Sequence, residues 1–199
     1  RVALILAALI AVAAVAIAVM RSRGGGESAA PATPSGGPEQ PAGDLGSMIT
    51  QLEKKMAANP GDPNGWNLLG LSYYNVGRYK DAVQAYSKAT ALDPKNPTYW
   101  SALGEVQLLT GPGGVTPESE ASFRKALALN PKDYRARYFM GVKKDSDGDH
   151  EGAVTDWIRI LKDSPPGAPW EQPVRDAIQN VAGANKIDVS GRMPPPAAA

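Results

Sequence analysis

Between residues 60 and 94 the apolar residues recur every three or four positions, the spacing that places side chains on one face of an α-helix. Two such runs follow each other. The first run contains Trp66, Leu69, Gly70 and Tyr73, and the second contains Ala82, Tyr86 and Ala89 before Pro94. This pattern predicts a pair of amphipathic helices. Small residues allow the helices to approach closely, and aromatic residues fill the space between them.

The proline that ends this unit recurs along the chain. Asn59-Pro60, Asp93-Pro94, Asn130-Pro131 and Ser164-Pro165 are separated by 34, 37 and 34 residues. A period near 34 is typical of the tetratricopeptide (TPR) repeat, a helical hairpin that buries its apolar face against its neighbours. We therefore predict an all-α fold, a TPR helical-hairpin solenoid of about three repeats plus capping helices, behind one transmembrane helix.

The second and third units keep most of the pattern. The matching residues are Trp100, Leu103, Gly104, Ser119, Phe123, Ala126 and Pro131, then Met140, Gly141, Ala153, Trp157 and Pro165. The pattern is broken at Gln107, Arg137, Lys144 and Ile160, and by three extra residues in the turn of the second unit. The spacing repeated in all three units predicts that one glycine of each unit lies where the paired helices touch. These glycines are Gly70, Gly104 and Gly141.

The ends of such an array need capping helices, because each repeat buries its apolar face only against a neighbour. Residues 45–58 are predicted to form a helix in front of the first repeat, with Asp44 as N-cap. Residues 170–182 are predicted to form a closing helix, in which Pro173 fits only in the first turn. The predicted TPR domain covers residues 44–183.

Two kinds of turn residue support this frame. Gly77 and Gly148 occupy the same repeat position, where a left-handed backbone is expected between the helices of a pair. Thr116, Pro117 and Glu118 follow the glycine-rich residues 111–114 and are predicted to be an N-cap, a first helical residue and an acid at a helix N-terminus. No Lys-Ser/Thr pair follows those glycines, so they are not predicted to bind phosphate.

The chain outside the repeats has a different composition. Residues 2–20 contain no polar side chain and no glycine. As a helix they would span roughly 28 Å, close to the hydrocarbon thickness of a bilayer, so we predict a transmembrane helix, with a signal peptide as the alternative. Residues 21–43 hold six glycines and four prolines and are predicted to be a flexible linker. Residues 184–199 are predicted to be a disordered tail.

Charge and residue types limit the chemistry. The chain has 21 basic and 20 acidic residues, a net charge of +1 and no basic stripe, so no nucleic-acid partner is predicted. The absence of cysteine excludes disulfides, thiol catalysis and Cys-ligated metals. The single histidine, His150, is expected to be a solvated turn residue, and the neighbouring acidic run lacks calcium-loop spacing. No catalytic set, cofactor or metal site is predicted.

A TPR solenoid binds peptides along the first helices of its repeats, so a binding groove is expected there. In this frame the groove-facing residues are Asn64, Asn67, Leu71, Tyr74, Ser101, Glu105, Leu108, Arg135 and Tyr138, with Asn75 and Val142 beside them. An apolar floor with polar and charged groups suits an amphipathic helix. The alternative for each residue, and for Leu71 and Val142 especially, is that it packs between repeats.

Three segments carry a resemblance to a known family. They are GGVTPE at residues 113–118, ARYFMG at residues 136–141 and SPPGAPW at residues 164–170. Over about residues 48–182 the chain resembles the c-type cytochrome biogenesis proteins of the CcmI (CycH) family. The resemblance implies a membrane-anchored chaperone that holds the C-terminal helix of apocytochrome c and presents it to the haem-ligation membrane proteins.

The resemblance also implies a location. It places the TPR domain in the periplasm, with residues 2–20 as a single span of the bacterial inner membrane. Arg21 and Arg23 alone favour a cytoplasmic side under the positive-inside rule. We give the resemblance more weight, since two arginines beside one span decide little. The alternative function is a general membrane-tethered TPR scaffold for another envelope complex.

Overall fold

The computed structural model describes residues 45–196, and within them the chain forms eight helices and no strand. The helices are α1 (Leu45–Ala58), α2 (Pro63–Asn75), α3 (Tyr79–Leu92), α4 (Pro97–Thr110), α5 (Pro117–Leu129), α6 (Tyr134–Ser146), α7 (His150–Asp163) and α8 (Glu171–Asn185). The predicted TPR solenoid is confirmed for this part of the chain. No helix of residues 45–196 is long and apolar enough to cross a bilayer. The predicted span at residues 2–20, the linker at residues 21–43 and Asp44 lie outside the described residues.

Three hairpins, α2–α3, α4–α5 and α6–α7, stack in chain order, with α1 before them and α8 after them. Glycine makes each hairpin possible. A Cβ atom on Gly70, Gly104 or Gly141 would lie 3.0 Å or less from an aromatic ring of the second helix. The rings belong to Tyr86, Phe123 and Trp157 respectively. The prediction that these glycines lie at helix contacts is confirmed.

The core runs along the stack in two clusters of buried side chains. One joins α1 to α4 and includes Met56 and Leu69, and the other joins α4 to α8 and includes Phe123 and Trp157. Trp100 packs against both clusters, so the apolar interior is continuous from α1 to α8. Burial of this kind is the main favourable contribution to folding.

The positions that break the repeat pattern have partners of their own. Ser122 donates a hydrogen bond to Gln107 (2.7 Å), where the pattern calls for an aromatic residue. Arg137 pairs with Asp163 at 2.7 Å, and Lys144 pairs with Asp156 at 2.6 Å. These polar links occur between the two helices of one repeat, so they replace an apolar contact with a directional one.

The turns follow the sequence prediction. Gly77 and Gly148 have φ values of 76° and 92°, a region in which a Cβ atom is strained. Thr116 is the N-cap of α5 and forms a capping box with Ser119. Pro173 lies in the first turn of α8, where its missing N–H has no cost.

The C-terminal segment differs from the predicted disorder. Helix α8 continues to Asn185, and residues 187–196, here called the C-terminal strap, fold back along the last helices. Ile187, Val189 and Met193 pack against the α4–α8 cluster. Arg175 donates a hydrogen bond to the Pro194 carbonyl, and Arg192 donates one to Glu151. The chain end is rich in proline, but these apolar contacts and hydrogen bonds hold the strap on the domain.

Candidate peptide-binding surface

The nine predicted groove residues lie on the first helices of the three hairpins, α2, α4 and α6, but they differ in accessibility. Asn64 and Leu71 are exposed, and Asn67, Tyr74, Glu105 and Arg135 are partly exposed. The other three are buried, with exposed fractions of 1% for Ser101, 8% for Leu108 and 6% for Tyr138. The surface available to a ligand is therefore narrower than the predicted groove.

Three of these residues form a chain of polar contacts across the three repeats. The Tyr74 hydroxyl donates to Glu105 Oε1 at 3.0 Å, and Arg135 Nε donates to Glu105 Oε2 at 2.9 Å. Burial and the Glu105 charge raise the pKa of Tyr74 above its ordinary value. Burial lowers the pKa of Arg135, but the neighbouring Glu105 carboxylate outweighs this and raises it overall. Glu105 is thus the centre of a link between α2, α4 and α6.

Two further groove residues take part in contacts between repeats. The Tyr99 hydroxyl donates to Asn64 Oδ1 at 2.6 Å, which joins α4 to α2. The Ser101 hydroxyl donates to Asp133 Oδ2 at 3.2 Å, and Asp133 is the N-cap of α6. These hydrogen bonds connect neighbouring repeats. Because the Asn64 Oδ1 atom already accepts from Tyr99, it is less available to a ligand.

The third repeat has no open groove at its centre. Leu108, Tyr138 and Val142 belong to the buried α4–α8 cluster, so they are part of the core. The Tyr138 ring meets Phe139 edge-on and stacks against Trp157. Burial raises the pKa of Tyr138 to about 12, with a smaller contribution from Asp176. Leu71, in contrast, is 42% exposed.

Two exposed apolar residues close to this surface were missed by the sequence analysis. Leu68 on α2 and Met48 on α1 are 47% and 54% exposed. Both sit at repeat positions that pack inside a TPR solenoid, so the frame alone predicts that they are buried. Their place at the start of the array could have indicated exposure, because a residue at these positions is buried only when a preceding helix covers it.

The histidine and the acidic run are occupied by local contacts. His150 Nδ1 lies 2.6 Å from Asp145 Oδ1, and Asp147 pairs with Lys143 at 2.8 Å. Asp149 caps α7 by accepting from the backbone of Gly152. Within residues 45–196 no group of three or more His, Asp or Glu side chains is arranged to hold a metal ion. These residues therefore give no support to a catalytic or metal site.

Comparison with known proteins identifies the repeat region. The family model described as the cytochrome c-type biogenesis protein H TPR domain matches residues 35–170. The cytochrome c-type biogenesis protein CycH of Bradyrhizobium diazoefficiens is 36% identical over 142 residues, which are 71% of this chain and 38% of that protein. The CycH protein of Rhizobium meliloti is 33% identical over 144 residues, 72% of this chain and 38% of that protein.

Solved structures share the fold at lower identity. The crystal structure of MamA has a TM-score of 0.59 and 21% identity, covering 73% of this chain and 81% of MamA. YrrB, described as a TPR protein with an unusual peptide-binding site, has a TM-score of 0.53 and 17% identity, covering 73% of this chain and 72% of YrrB. At these identities the likeness establishes the TPR fold alone.

The family is established by the model match, which includes all three hairpins and the loop before α5. The chain spans 38% of the length of the two CycH proteins that it matches. Partly exposed Asn67 and exposed Leu68 and Leu71 lie within the matched region. The chain belongs to the family of cytochrome c-type biogenesis proteins that carry the protein H TPR domain.

Proposed function

We propose that this chain is a membrane-anchored TPR chaperone of c-type cytochrome maturation, which binds apocytochrome c through its C-terminal helix and presents it to the haem-ligation membrane proteins. The observation that carries the proposal is family membership, established by the match over residues 35–170. The structure supports it with an exposed apolar surface on α2, where Leu68 and Leu71 lie beside Asn67.

The chemistry of this surface fits a chaperone's client. An amphipathic helix in an unfolded cytochrome exposes an apolar stripe, and the leucines of α2 can bury part of it. Once the cytochrome folds around haem, the same stripe enters the cytochrome's own core. The client then has a lower affinity for the TPR surface and leaves without an energy source.

The proposed contact residues are those that the fold leaves accessible. They are Asn67, Leu68, Leu71 and Tyr74, with Asn64, Glu105 and Arg135 at the polar border. Asn67 supplies amide groups for the polar edge of a bound helix, whereas Leu71 supplies apolar contact. Buried Ser101, Leu108 and Tyr138 are not proposed as contacts, because reaching them would require opening the core.

We also propose that residues 2–20 anchor the chain in the bacterial inner membrane and that the TPR domain lies in the periplasm. The basis is the apolar run in the sequence together with family membership. Protease added to spheroplasts should digest the TPR domain. Protection of the domain until the membrane is broken would place it on the cytoplasmic side and contradict this topology.

The decisive experiment compares apo- and holocytochrome c. The full chain in lipid nanodiscs is titrated against each form, and against a labelled peptide of the cytochrome's C-terminal helix. We expect the apo form and the peptide to bind at least ten times more tightly than the holo form. Equal affinity for both forms would exclude a chaperone and favour a general membrane-tethered scaffold.

A matched pair of variants tests the surface. Asn67→Ala removes a partly exposed amide from α2, whereas Asn180→Ala removes an exposed amide from α8, away from the proposed surface. We expect the first variant to weaken peptide binding about threefold to tenfold, since a hydrogen bond contributes on the order of 1 kcal/mol. The second should bind like wild type. Equal affinities of the two variants would remove Asn67 from the site.

A further inference from the structure

The repeat frame assigns each residue of α1 an equivalent in the later second helices, α3, α5 and α7. With intervals of 34, 37 and 34 residues, Met48 corresponds to Ala82, Ser119 and Ala153. Those three residues have no exposed surface, whereas Met48 is 54% exposed. Helix α1 is therefore a second helix whose partner position is empty in the described part of the chain.

Helix α2 shows the same gap from the other side. Leu68 corresponds to Ala102 and Phe139, which are 5% and 2% exposed, whereas Leu68 is 47% exposed. In the later repeats this position is covered by the preceding hairpin; Phe139, for example, stacks on Phe123 with ring centroids 5.0 Å apart. Before α2 the counterpart of Phe123 is Leu52 of α1, which is smaller than an aromatic ring, and no first helix precedes α1 in the described residues, so Leu68 stays exposed.

Leu71 repeats the observation one turn further along α2. Its equivalents are Glu105 and Val142. The preceding first helix contacts Glu105 through the Tyr74 hydroxyl, and Val142 is 8% exposed, but Leu71 is 42% exposed. Met48, Leu68 and Leu71 thus border one position, which a first helix would occupy by pairing with α1 and preceding α2. We call Met48, Leu68, Leu71 and the partly buried Leu52 the open edge.

The segment that the repeat frame assigns to this position is a poor helix. Shifting α2 back by 34 residues gives residues 29–41, which lie outside the described residues and contain Pro31, Pro34, Pro38, Pro41 and two glycines. Inside a helix each such proline removes a backbone donor and clashes with the preceding turn. Residues 29–41 are therefore a poor source of that helix, and the open edge can take one from a partner.

We propose that the amphipathic helix of the client docks on the open edge as the missing first helix, antiparallel to α1 and beside α2. This inference rests on the proposed function, since it names the place where the apocytochrome helix binds. The client would extend the solenoid by one helix and cover Met48, Leu68 and Leu71, as α2 packs with Ala82 of α3 and contacts Glu105 of α4.

The edge also specifies the kind of helix it takes. First helices of this chain contact their partners through residues spaced like Trp66, Leu69, Gly70 and Tyr73, so a client needs apolar residues at i, i+3 and i+7. Leu52 stands where Tyr86 stands in the next repeat and is smaller than an aromatic ring, so the client residue at i+4 need not be glycine. Lys55 replaces buried Ala89 and favours an acidic residue in the client's first turns.

The test uses the full chain in lipid nanodiscs and a fluorescein-labelled synthetic peptide of the C-terminal helix of a c-type cytochrome. Met48→Asp and Leu68→Asp each place a charge on the open edge. Leu92→Asp and Leu129→Asp are matched controls, because these leucines are 44% and 41% exposed at the ends of α3 and α5. We expect Kd to rise at least tenfold in both edge variants and less than twofold in the controls.

A cross-link gives an independent readout. The chain has no cysteine, so Met48→Cys and Leu129→Cys each carry one photoreactive maleimide. The peptide should cross-link from position 48 and not from position 129. Wild-type Kd in both edge variants, or equal cross-linking from the two positions, would overturn the open edge while the proposed function stands. A peptide that does not bind the wild-type chain would overturn the proposed function itself.

Discussion

The two ends of the solenoid are finished in different ways. At the C-terminal end, α8 and the C-terminal strap cover the last hairpin; Arg175 Nη2 donates to the Pro194 carbonyl at 2.9 Å, and Arg192 pairs with Glu151 at 2.8 Å. At the N-terminal end of the described chain, Met48 and Leu68 remain about half exposed. Exposed apolar groups on a repeat end are a liability unless they have a partner. The proposed docking of a client helix on the open edge rests on this difference.

The same substitution at the two ends should have unequal cost. Gly141→Leu forces a side chain into Trp157, whose indole donates to the Tyr138 carbonyl at 3.0 Å. Helix α6 also packs against α4, α5 and α7, so it has little room to move. We expect a loss of about 3 kcal/mol in the free energy of unfolding. Gly70→Leu presses on Tyr86, but α2 is preceded by the single helix α1 and not by a complete hairpin, so it can move more easily and its loss should be about 1–2 kcal/mol. Urea unfolding measures both, and equal losses would contradict the comparison.

The next effect concerns the strap. Replacing its three packed apolar residues with serine should lower the free energy of unfolding by about 2 kcal/mol, since each is partly buried against the α4–α8 cluster. The residues are Ile187, Val189 and Met193. A control triple variant replaces exposed apolar residues elsewhere with serine, namely Val76, Leu92 and Leu129. If the control loses as much stability as the strap variant, the strap is not a cap.

A pH series compares one tyrosine from each end. The pKa of Tyr73 is raised to about 12 by burial, together with its 2.6 Å hydrogen bond to Glu53, and burial raises that of Tyr138 to the same value. Between pH 10 and 12 the unfolded chain loses these protons and the folded chain keeps them, so stability should fall as the pH rises. One phenol contributes at most about 1.4 kcal/mol per pH unit.

Tyrosine variants assign that pH effect. Tyr73→Phe and Tyr138→Phe should each reduce the slope of unfolding free energy against pH above pH 10. Ultraviolet titration of each folded variant should lack the ionisation near pH 12 that the replaced tyrosine gives in the wild type. Below pH 10 the contribution of these two groups is fully present, so their pH dependence should be flat there. An unchanged slope in both variants would show that other groups control alkaline unfolding.

The smallest effect is expected at the open edge itself. Met48→Ala should change the free energy of unfolding by less than about 0.5 kcal/mol, because the side chain is more exposed than buried. Its neighbour Ile49 is 4% exposed, so Ile49→Ala should cost about 2 kcal/mol or more. Thermal melting of the two variants decides the point. A large loss for Met48→Ala would mean that the edge is covered in the free protein.

Much of the fold follows from local rules. The proline spacing predicts the hairpins, because proline ends a helix, and the glycine positions predict their contacts, because only a hydrogen fits under Tyr86 or Phe123. The strap shows where composition misleads. Prolines and alanines at the chain end predict disorder, but Ile187 and Val189 make a local apolar contact that overall composition does not reveal.

The binding surface was less predictable, since it depends on which neighbour covers each position. Tyr138 and Leu108 occupy groove positions in the repeat frame, yet α8 and the bulky third repeat bury them. The Glu105–Arg135 contact requires knowledge of the distance between α4 and α6, and 37 residues of sequence spacing do not give it. The open edge was predictable in principle, because the frame requires a helix where residues 29–41 carry four prolines.

The Tyr74–Glu105–Arg135 chain has a consequence for cooperativity. In a linear array each repeat contacts only its neighbours, so opening of the backbone normally begins at one end and the amide-exchange rates grade along the chain. Glu105 accepts hydrogen bonds from Tyr74 on α2 and from Arg135 on α6 at once. Separating the first repeat removes the Tyr74 bond that helps to position Glu105, and so weakens the contact between Glu105 and Arg135. Amide hydrogens of α2, α4 and α6 should therefore exchange through a shared opening event, with similar free energies, while those of α1 exchange faster.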